Sequence, residues 1–288
     1  MARPKMPLAQ AESRALAGSS VPLRALTLAL VLAVLAGCHT TPPRADLAAT
    51  APATAGDARQ RPAVPRLGGR LRSATLTALR DRGTWLPLAG AAVLSIGSLD
   101  EDLADWGARE QPLFGGKAAD RSDLLLDLSR YSALATALLM PAERWSDRGQ
   151  NLLFAAGTLL ANGAVVEAGK SLSQRTRPNG RGNRSFPSGH ASQAATGSVL
   201  TVQQLQAAGL SPPWQRVAHT GFTLSAATTG WARIEARKHF PTDVLVGYAL
   251  GNFMANFARA LFYPESPATL GLAPMADGMA LTLTLPVH

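Results

Sequence analysis

The stretch Lys170-Ser-Leu-Ser-Gln-Arg-Thr-Arg177-Pro178-Asn-Gly-Arg181-Gly-Asn-Arg184-Ser-Phe-Pro187-Ser188-Gly189-His190 joins two long apolar segments, Leu152 to Ser173 and Ala191 to Ala208. Both segments are rich in Ala and Leu, which favours helix over strand. The stretch therefore reads as a helix end, a loop and a helix start. Lys170 and Arg177 are seven residues apart, which on a helix means one face, two turns apart. Pro178 disfavours a helical conformation at Arg177 and turns that guanidinium from the helix end into the loop. Ser188, Gly189 and His190, at the mouth of the next helix, offer free backbone N–H groups, a hydroxyl and a titratable imidazole aimed at one point, where an oxyanion would sit readily. Each piece also has a plainer reading. Cations near a helix C-terminus are ordinary dipole partners, and Ser188 could serve only as a cap, with His190 on the surface.

A third segment, Arg233-Ile-Glu-Ala-Arg-Lys-His239-Phe-Pro241-Thr-Asp243, precedes an apolar run to Phe262. Pro241 suits the first position of a helix, which puts Asp243 in the first turn and His239 just before it. A carboxylate there is expected to accept the Nδ1 hydrogen of His239 and leave Nε2 lone-paired and pointing outward. That is how a base or nucleophile is held by an acid. The plainer reading is that Asp243 merely favours the helix N-terminus and His239 is exposed.

Similar apolar segments run from Trp85 to Leu99, Leu124 to Met140, Arg216 to Ala232 and Pro241 to Phe262. The expectation is an all-α protein, a bundle of about six helices. After Pro264 the pattern changes: Thr269-Leu-Gly-Leu and Ala280-Leu-Thr-Leu-Thr-Leu285 alternate around Asp277-Gly278, which signals a short C-terminal β-hairpin. The charge-free stretches Gly83 to Leu99 and Gly149 to Val166 sit at or just below the length that crosses a bilayer. They favour a bundle at the membrane face over an integral protein, with spanning helices as the alternative. Small residues such as Gly157, Ala161, Gly163 and Ala164 permit tight helix contacts in either setting.

The N-terminus reads as an address. Arg3, Lys5, Arg14 and Arg24 precede the uncharged run from Ala25 to Gly37, the build of a secretory signal. Leu35-Ala36-Gly37-Cys38 resembles the lipobox of bacterial lipoproteins, which would make Cys38 a lipidated N-terminus and place the protein in the cell envelope, on the periplasmic side of a membrane. An incidental cysteine or an uncleaved signal anchor are the alternatives. Residues 38–66 are almost free of large apolar side chains and read as a tether. The expected organisation is a signal at 1–37, the tether, a helical domain at 67–264 and a hairpin extension at 265–288. Cys38 is the single cysteine among 288 residues, which excludes an intrachain disulfide and a Cys-based zinc site. The formal charge of +9 suits nucleic acid, an anionic membrane or a phosphorylated substrate. No basic run with interleaved aromatics is present, which disfavours nucleic acid.

Taken together, Lys-x6-Arg-Pro, Pro-Ser-Gly-His and Arg-x5-His-x3-Asp occur in order over residues 170–243. This set resembles the type 2 phosphatidic acid phosphatase and vanadium haloperoxidase superfamily, over roughly residues 84–262. The resemblance implies an all-helical bundle and an active site without metal or other cofactor. Lys170, Arg177 and Arg233 would hold the phosphoryl oxygens, with Ser188 and the Gly189 amide completing the cradle. His239 would be the nucleophile, oriented by Asp243, and His190 the acid that protonates the leaving oxygen and later activates water. That division needs His239 neutral and His190 protonated in one state. The implied substrate is a lipid phosphate or diphosphate such as phosphatidic acid, an isoprenyl diphosphate or lipid A. Soluble phosphate esters, or haloperoxidase chemistry with vanadate in the cradle, are the alternatives. The family usually has Ser before the third-motif Arg, where this chain has Ala232; activity is expected to survive that change. His219 and His288 fall outside the motifs, and Arg181, Arg184, Arg237 and Lys238 flank them.

Overall fold

The computed structural model describes residues 67–140, 145–263, 269–275 and 278–284. The signal-like segment 1–37, Cys38, the tether 38–66 and Asp277 of the expected turn lie outside the described residues. Among the described residues eight α-helices follow in order: α1 Leu67–Arg80, α2 Arg82–Leu94, α3 Leu99–Glu110, α4 Ala118–Leu139, α5 Trp145–Ser173, α6 Gly189–Ala207, α7 Pro212–Glu235 and α8 Pro241–Phe262. A 3-10 turn at Gly115–Lys117 leads into α4. The helical architecture is as expected, with more helices than the expected six or so.

Helices α1 and α3 went unread because they are short and charged, LGGRLRSATLTALR and LDEDLADWGARE, with no long apolar run to mark them. The segment from Trp85 also stops before Leu99. Helix α2 ends at Leu94, Gly97 takes φ 61°, and the acidic first turn of α3 opens a new helix, where carboxylates favour the N-terminal dipole. Asp81 caps α2 by accepting from the Gly83 amide at 2.9 Å. Helices α7 and α8 open on proline, Pro212 and Pro241, whose missing N–H is no loss in a first turn.

Helix α6 is buried along almost its whole length and lies among α4, α5, α7 and α8. Glycine permits this. A Cβ on Gly197 would overlap the Ser129 carbonyl of α4, and one on Gly251 of α8 would overlap the Ser192 carbonyl of α6. Gly247, one turn earlier on α8, lies in the same way against the carbonyl of Ser188, so the backbone leading into α6 is pressed onto α8.

The buried side chains are mostly small. Ala133, Ala137, Ala155, Ala194, Ala226 and Ala255 are fully or almost fully covered, beside hydroxyls and amides that bond across helices. Ser132 meets Thr201 at 3.0 Å, Ser192 donates to Asn162 at 2.8 Å and Thr196 donates to the Gly251 carbonyl at 3.2 Å. Large apolar side chains are instead outside: Leu153, Leu160 and Leu172 on α5, Leu138 and Leu139 on α4, Leu224 on α7. This inverts the usual partition of a water-soluble domain and matches helices that associate through small residues and interhelical hydrogen bonds. Among the described residues one helix, over Asp147–Ser173, is long and apolar enough to cross a membrane, and only 28% of its apolar window is buried. Most of that window is left uncovered by the rest of the described bundle. Beyond α8 the strands Thr269–Met275 and Gly278–Thr284 pair antiparallel, Thr269 opposite Thr284.

Close backbone contact at Gly251 predicts opposite outcomes for two alanine substitutions. Gly157 has open space at its Cβ position, so Gly157→Ala should stabilise by up to about 1 kcal/mol through helix propensity. Gly251→Ala should instead cost about 1–3 kcal/mol, as read by thermal unfolding in detergent.

Candidate active site

All three motifs meet at one end of the bundle, where α5 and α7 finish and α6 and α8 begin. The loop between α5 and α6 is tied to itself and to α8. The Ser185 amide donates to the Arg175 carbonyl at 2.9 Å, Arg177 to Gly182 at 3.2 Å, and Ser188 to the Asp243 carbonyl at 2.9 Å. Helix α7 is ended by Arg237 in the left-handed region, φ 54°. The amides of Lys238 and His239 then fold back onto the Arg233 carbonyl at 3.0 and 3.3 Å, which returns His239 to the level of Arg233.

Arg233 is buried in the last turn of α7 and donates from one terminal nitrogen to Ser122 Oγ of α4 at 2.9 Å. That hydroxyl serves it although the preceding residue is Ala232. Lys170 lies over the start of α6: a Cβ on Gly189 would sit 3.2 Å from its Nζ and 3.3 Å from Val166 Cγ1. Any larger residue there would crowd the lysine and Val166, and the Gly189 amide belongs to the first turn, whose N–H groups a helix leaves unbonded. Lys170, Arg177 and Arg233 act on one another as like charges. The Nε atoms of Arg177 and Arg233 are buried without an acceptor among the described residues. Buried donors of this kind are costly unless something accepts from them. An oxyanion among the three cations is the group that fits.

His239 is 2% exposed. Its Nδ1 lies 2.6 Å from the Ser185 carbonyl oxygen and 3.8 Å from the nearer Asp243 oxygen. The expected hydrogen bond from His239 to Asp243 is therefore corrected: the backbone carbonyl takes the proton, and the carboxylate acts on the ring through its charge, beyond hydrogen-bond reach. The reason is occupancy. Asp243 already accepts from Ser185 Oγ at 2.5 Å, the Phe240 amide at 2.9 Å and Arg175 at 2.8 Å. A donor to Ser185 O fixes the Nδ1–H tautomer and leaves Nε2 with its lone pair. Burial holds His239 below the usual imidazole range, with Arg233 acting in the same direction. Burial alone would raise the Asp243 carboxyl, but the neighbouring imidazole, Ser185, Arg175 and the Phe240 amide outweigh it and hold it low.

His190, in the first turn of α6, places Nε2 2.7 Å from Asp123 Oδ1 on α4. Its pKa is pushed down to about 4 by burial first and then by Arg233, against the raising effect of Asp123. The substrate-free site thus holds both histidines neutral near pH 7. Four residues beyond the expected set complete the arrangement: Asp123, Ser185, Arg175 and Asp100. Arg175 donates to Asp243 at 2.8 Å, to Thr242 Oγ1 at 2.8 Å and to Asp100 at 2.7 Å, and lies over the Phe240 ring at 4.1 Å. Asp100, buried at the start of α3, accepts from the Thr242 amide and hydroxyl at 2.8 and 2.6 Å. Arg184 pairs with Glu167, which also holds Lys170 at 2.9 Å, and Arg237 pairs with Asp105 at 3.3 Å. His219 is exposed on α7, well before its site end.

Fold and geometry together describe a helical bundle in which three cations and two histidines converge at one end. Residues 151–266 match the family model of the PAP2 superfamily, and the chain carries a PAP2 superfamily domain there. It is similar to lipid A 1-phosphatase of Porphyromonas gingivalis, 30% identical over 166 residues, which are 58% of this chain and 35% of the relative. It is also similar to diacylglycerol pyrophosphate phosphatase 1 of Saccharomyces cerevisiae, 31% identical over 107 residues, 35% of this chain and 37% of the relative. The chain thus spans little more than a third of either relative. A solved transmembrane PAP2-type phosphatidylglycerolphosphate phosphatase from Bacillus subtilis superposes with a TM-score of 0.49 at 20% identity, covering 64% of this chain and 94% of that one.

Removing Arg175 would leave Asp100 and Asp243 as neighbouring buried carboxylates without their shared cation. Arg175→Ala should destabilise by about 3 kcal/mol or more, and adding Asp100→Asn should recover part of that loss. Denaturant titration of the two variants checks it. For His190, whose folded pKa lies below the unfolded value, the folded state binds fewer protons than the unfolded chain at intermediate pH. Stability is fully present above about pH 6.5 and is lost, at up to about 1.4 kcal/mol per pH unit, as the pH falls toward the folded pKa. His190→Asn should flatten the fall of melting temperature across that window.

Proposed function

We propose that the chain is a phosphatase that hydrolyses phosphomonoester or diphosphate groups of membrane lipids through a phosphohistidine intermediate. The observation that carries the reading is the convergence of Lys170, Arg177 and Arg233, two of them with buried Nε donors that have no acceptor among the described residues, beside two histidines held toward the neutral form. Charge spread over the equatorial oxygens of a loose phosphoryl transition state is stabilised by preorganised cations and amides. Lys170, Arg177 and Arg233 hold those oxygens, with Ser188 and the Gly189 amide. His239 Nε2 attacks phosphorus while its Nδ1–H stays on the Ser185 carbonyl; the ester P–O bond breaks and His190, charged once the phosphate dianion is bound, gives its proton to the leaving oxygen. In the second half, water gives a proton back to His190, its oxygen bonds to phosphorus and the N–P bond breaks, releasing phosphate. Asp243 stabilises the imidazolium that forms at His239. No step uses a metal.

A lipid substrate is supported by the exterior of the bundle. Residues 149–166, 191–208, 217–232 and 244–258 contain no Asp, Glu, Lys or Arg. At about 1.5 Å per residue these runs are roughly 22–27 Å long, close to the hydrocarbon thickness of a bilayer, and the catalytic groups lie just beyond their ends. The outward leucines of α4, α5 and α7 then face lipid, and a headgroup reaches the site from the membrane surface. The two relatives carry names of lipid phosphatases, which supports the same class. The signal-like N-terminus and Cys38 extend the reading to an envelope location with an acyl anchor. Soluble phosphate esters are the second reading, favoured by the partial exposure of the His190 and Asp123 side chains, 28% and 63%.

His239→Ala should lower kcat by about a thousandfold or more on every substrate, with the fold retained. Chelators should leave wild-type activity unchanged, and vanadate should inhibit it. A panel of phosphatidic acid, an isoprenyl diphosphate, lipid A and a soluble aryl phosphate should show the highest kcat/KM for a lipid. Wild-type rates in the His239→Ala protein would contradict the chemistry, and preference for the aryl phosphate would contradict the substrate class.

A further inference from the structure

Asp123 belongs to none of the three motifs. It lies in the second turn of α4, and the packing of α4 beside α6 brings it to the site. Its Oδ1 is 2.7 Å from His190 Nε2 and 3.8 Å from the Arg233 guanidinium. The next residue back, Ser122, holds Arg233 at 2.9 Å. Consecutive residues of α4 therefore grip the acid–base histidine and the phosphate-binding arginine.

We propose that Asp123 is the positioning residue of His190, holding Nε2–H so that Nδ1 is the nitrogen that gives its proton to the ester oxygen and takes one back from water. This deepens the proposed phosphatase reading and rests on it. A carboxylate that accepts from Nε2 serves both charge states of the ring: it bonds the neutral tautomer through Nε2–H and favours the imidazolium by its charge. Without it, neutral His190 is free to carry its proton on either nitrogen and to turn. The groups around His190 otherwise oppose its charging. Arg233 from α7 and His239 from the loop before α8 face it, and Lys170 from α5, itself facing Arg177, lies across the neighbouring Gly189. Asp123 is the acidic group on α4 set against them. Its side chain is 63% exposed, so it is dispensable for packing, which suits a role in chemistry better than one in the fold.

Proton donation matters in proportion to how poor the leaving group is, so the leaving group supplies the test. Asp123→Asn, which is isosteric and substitutes a surface-facing group, should lower kcat/KM on an alkyl phosphate about tenfold. It should also move the limb on which activity falls with rising pH about one unit toward acid. Formation of the phosphoenzyme from an aryl phosphate, whose leaving group needs no proton, should change less than about twofold, and Asp123→Glu should restore part of the alkyl-phosphate rate. Equal losses on both leaving groups, or an unshifted pH profile, would overturn the proposal. His190→Ala separates it from the reading beneath it. If that variant still cleaves alkyl phosphates at the wild-type rate, the phosphatase mechanism fails; if it is inactive while Asp123→Asn behaves as wild type, the role of Asp123 alone fails.

Discussion

One buried carboxylate ties the site together. Asp243 is fully enclosed in the first turn of α8, and its oxygens bind Ser185 of the loop just ahead of the second motif, the Phe240 amide within the third and Arg175 within the first. An isolated buried carboxylate would be held only at high energetic cost. Here a hydroxyl, a backbone amide and a guanidinium surround it, so the three segments can satisfy it only by meeting at this point. Its backbone carbonyl adds a bond from Ser188. The same arrangement leaves the Ser185 carbonyl as the acceptor for His239, and so sets which imidazole nitrogen carries the lone pair.

The bundle supplies the rigidity this node needs. Helix α8 approaches α6 at glycine, so the loop ahead of α6 rests on backbone and not on adaptable side chains. Arg175 extends the node outward to Asp100, and through it to α3. Helix α4 reaches the opposite side of the site with Ser122 and Asp123. The motif segments come from α5 to α8, but Arg175 is also held from α3 and Arg233 and His190 from α4.

Much of this was legible in the sequence, for identifiable reasons. Long Ala- and Leu-rich runs announce helices, and Lys170, Arg177, Ser188, Gly189, Arg233, His190 and His239 stand out as candidates for one site, because their chemistry is dense and their spacing local. Asp123 and Asp100 could not be read: each is one acid among several on a charged helix, and only tertiary packing brings it to its partner. Arg175 lies two residues from Arg177 in a run of cations at a helix end, where nothing local distinguishes it from an ordinary dipole partner. The acceptor for His239 was misread because a backbone carbonyl leaves no mark in a sequence, whereas a nearby Asp does. Composition also hid which way the leucines face, since a helix lined with alanine on one side and leucine on the other has the same residues whether its large side chains meet protein or lipid.

The central claim is that His239 becomes covalently bonded to phosphorus. Rapid quenching of the wild-type protein with a radiolabelled aryl phosphate, followed by peptide mapping, tests it directly. The account predicts a label that is stable to base, labile to acid and confined to the peptide containing His239. A label on another residue, or turnover through single-step inversion at phosphorus with no phosphoenzyme, would contradict it.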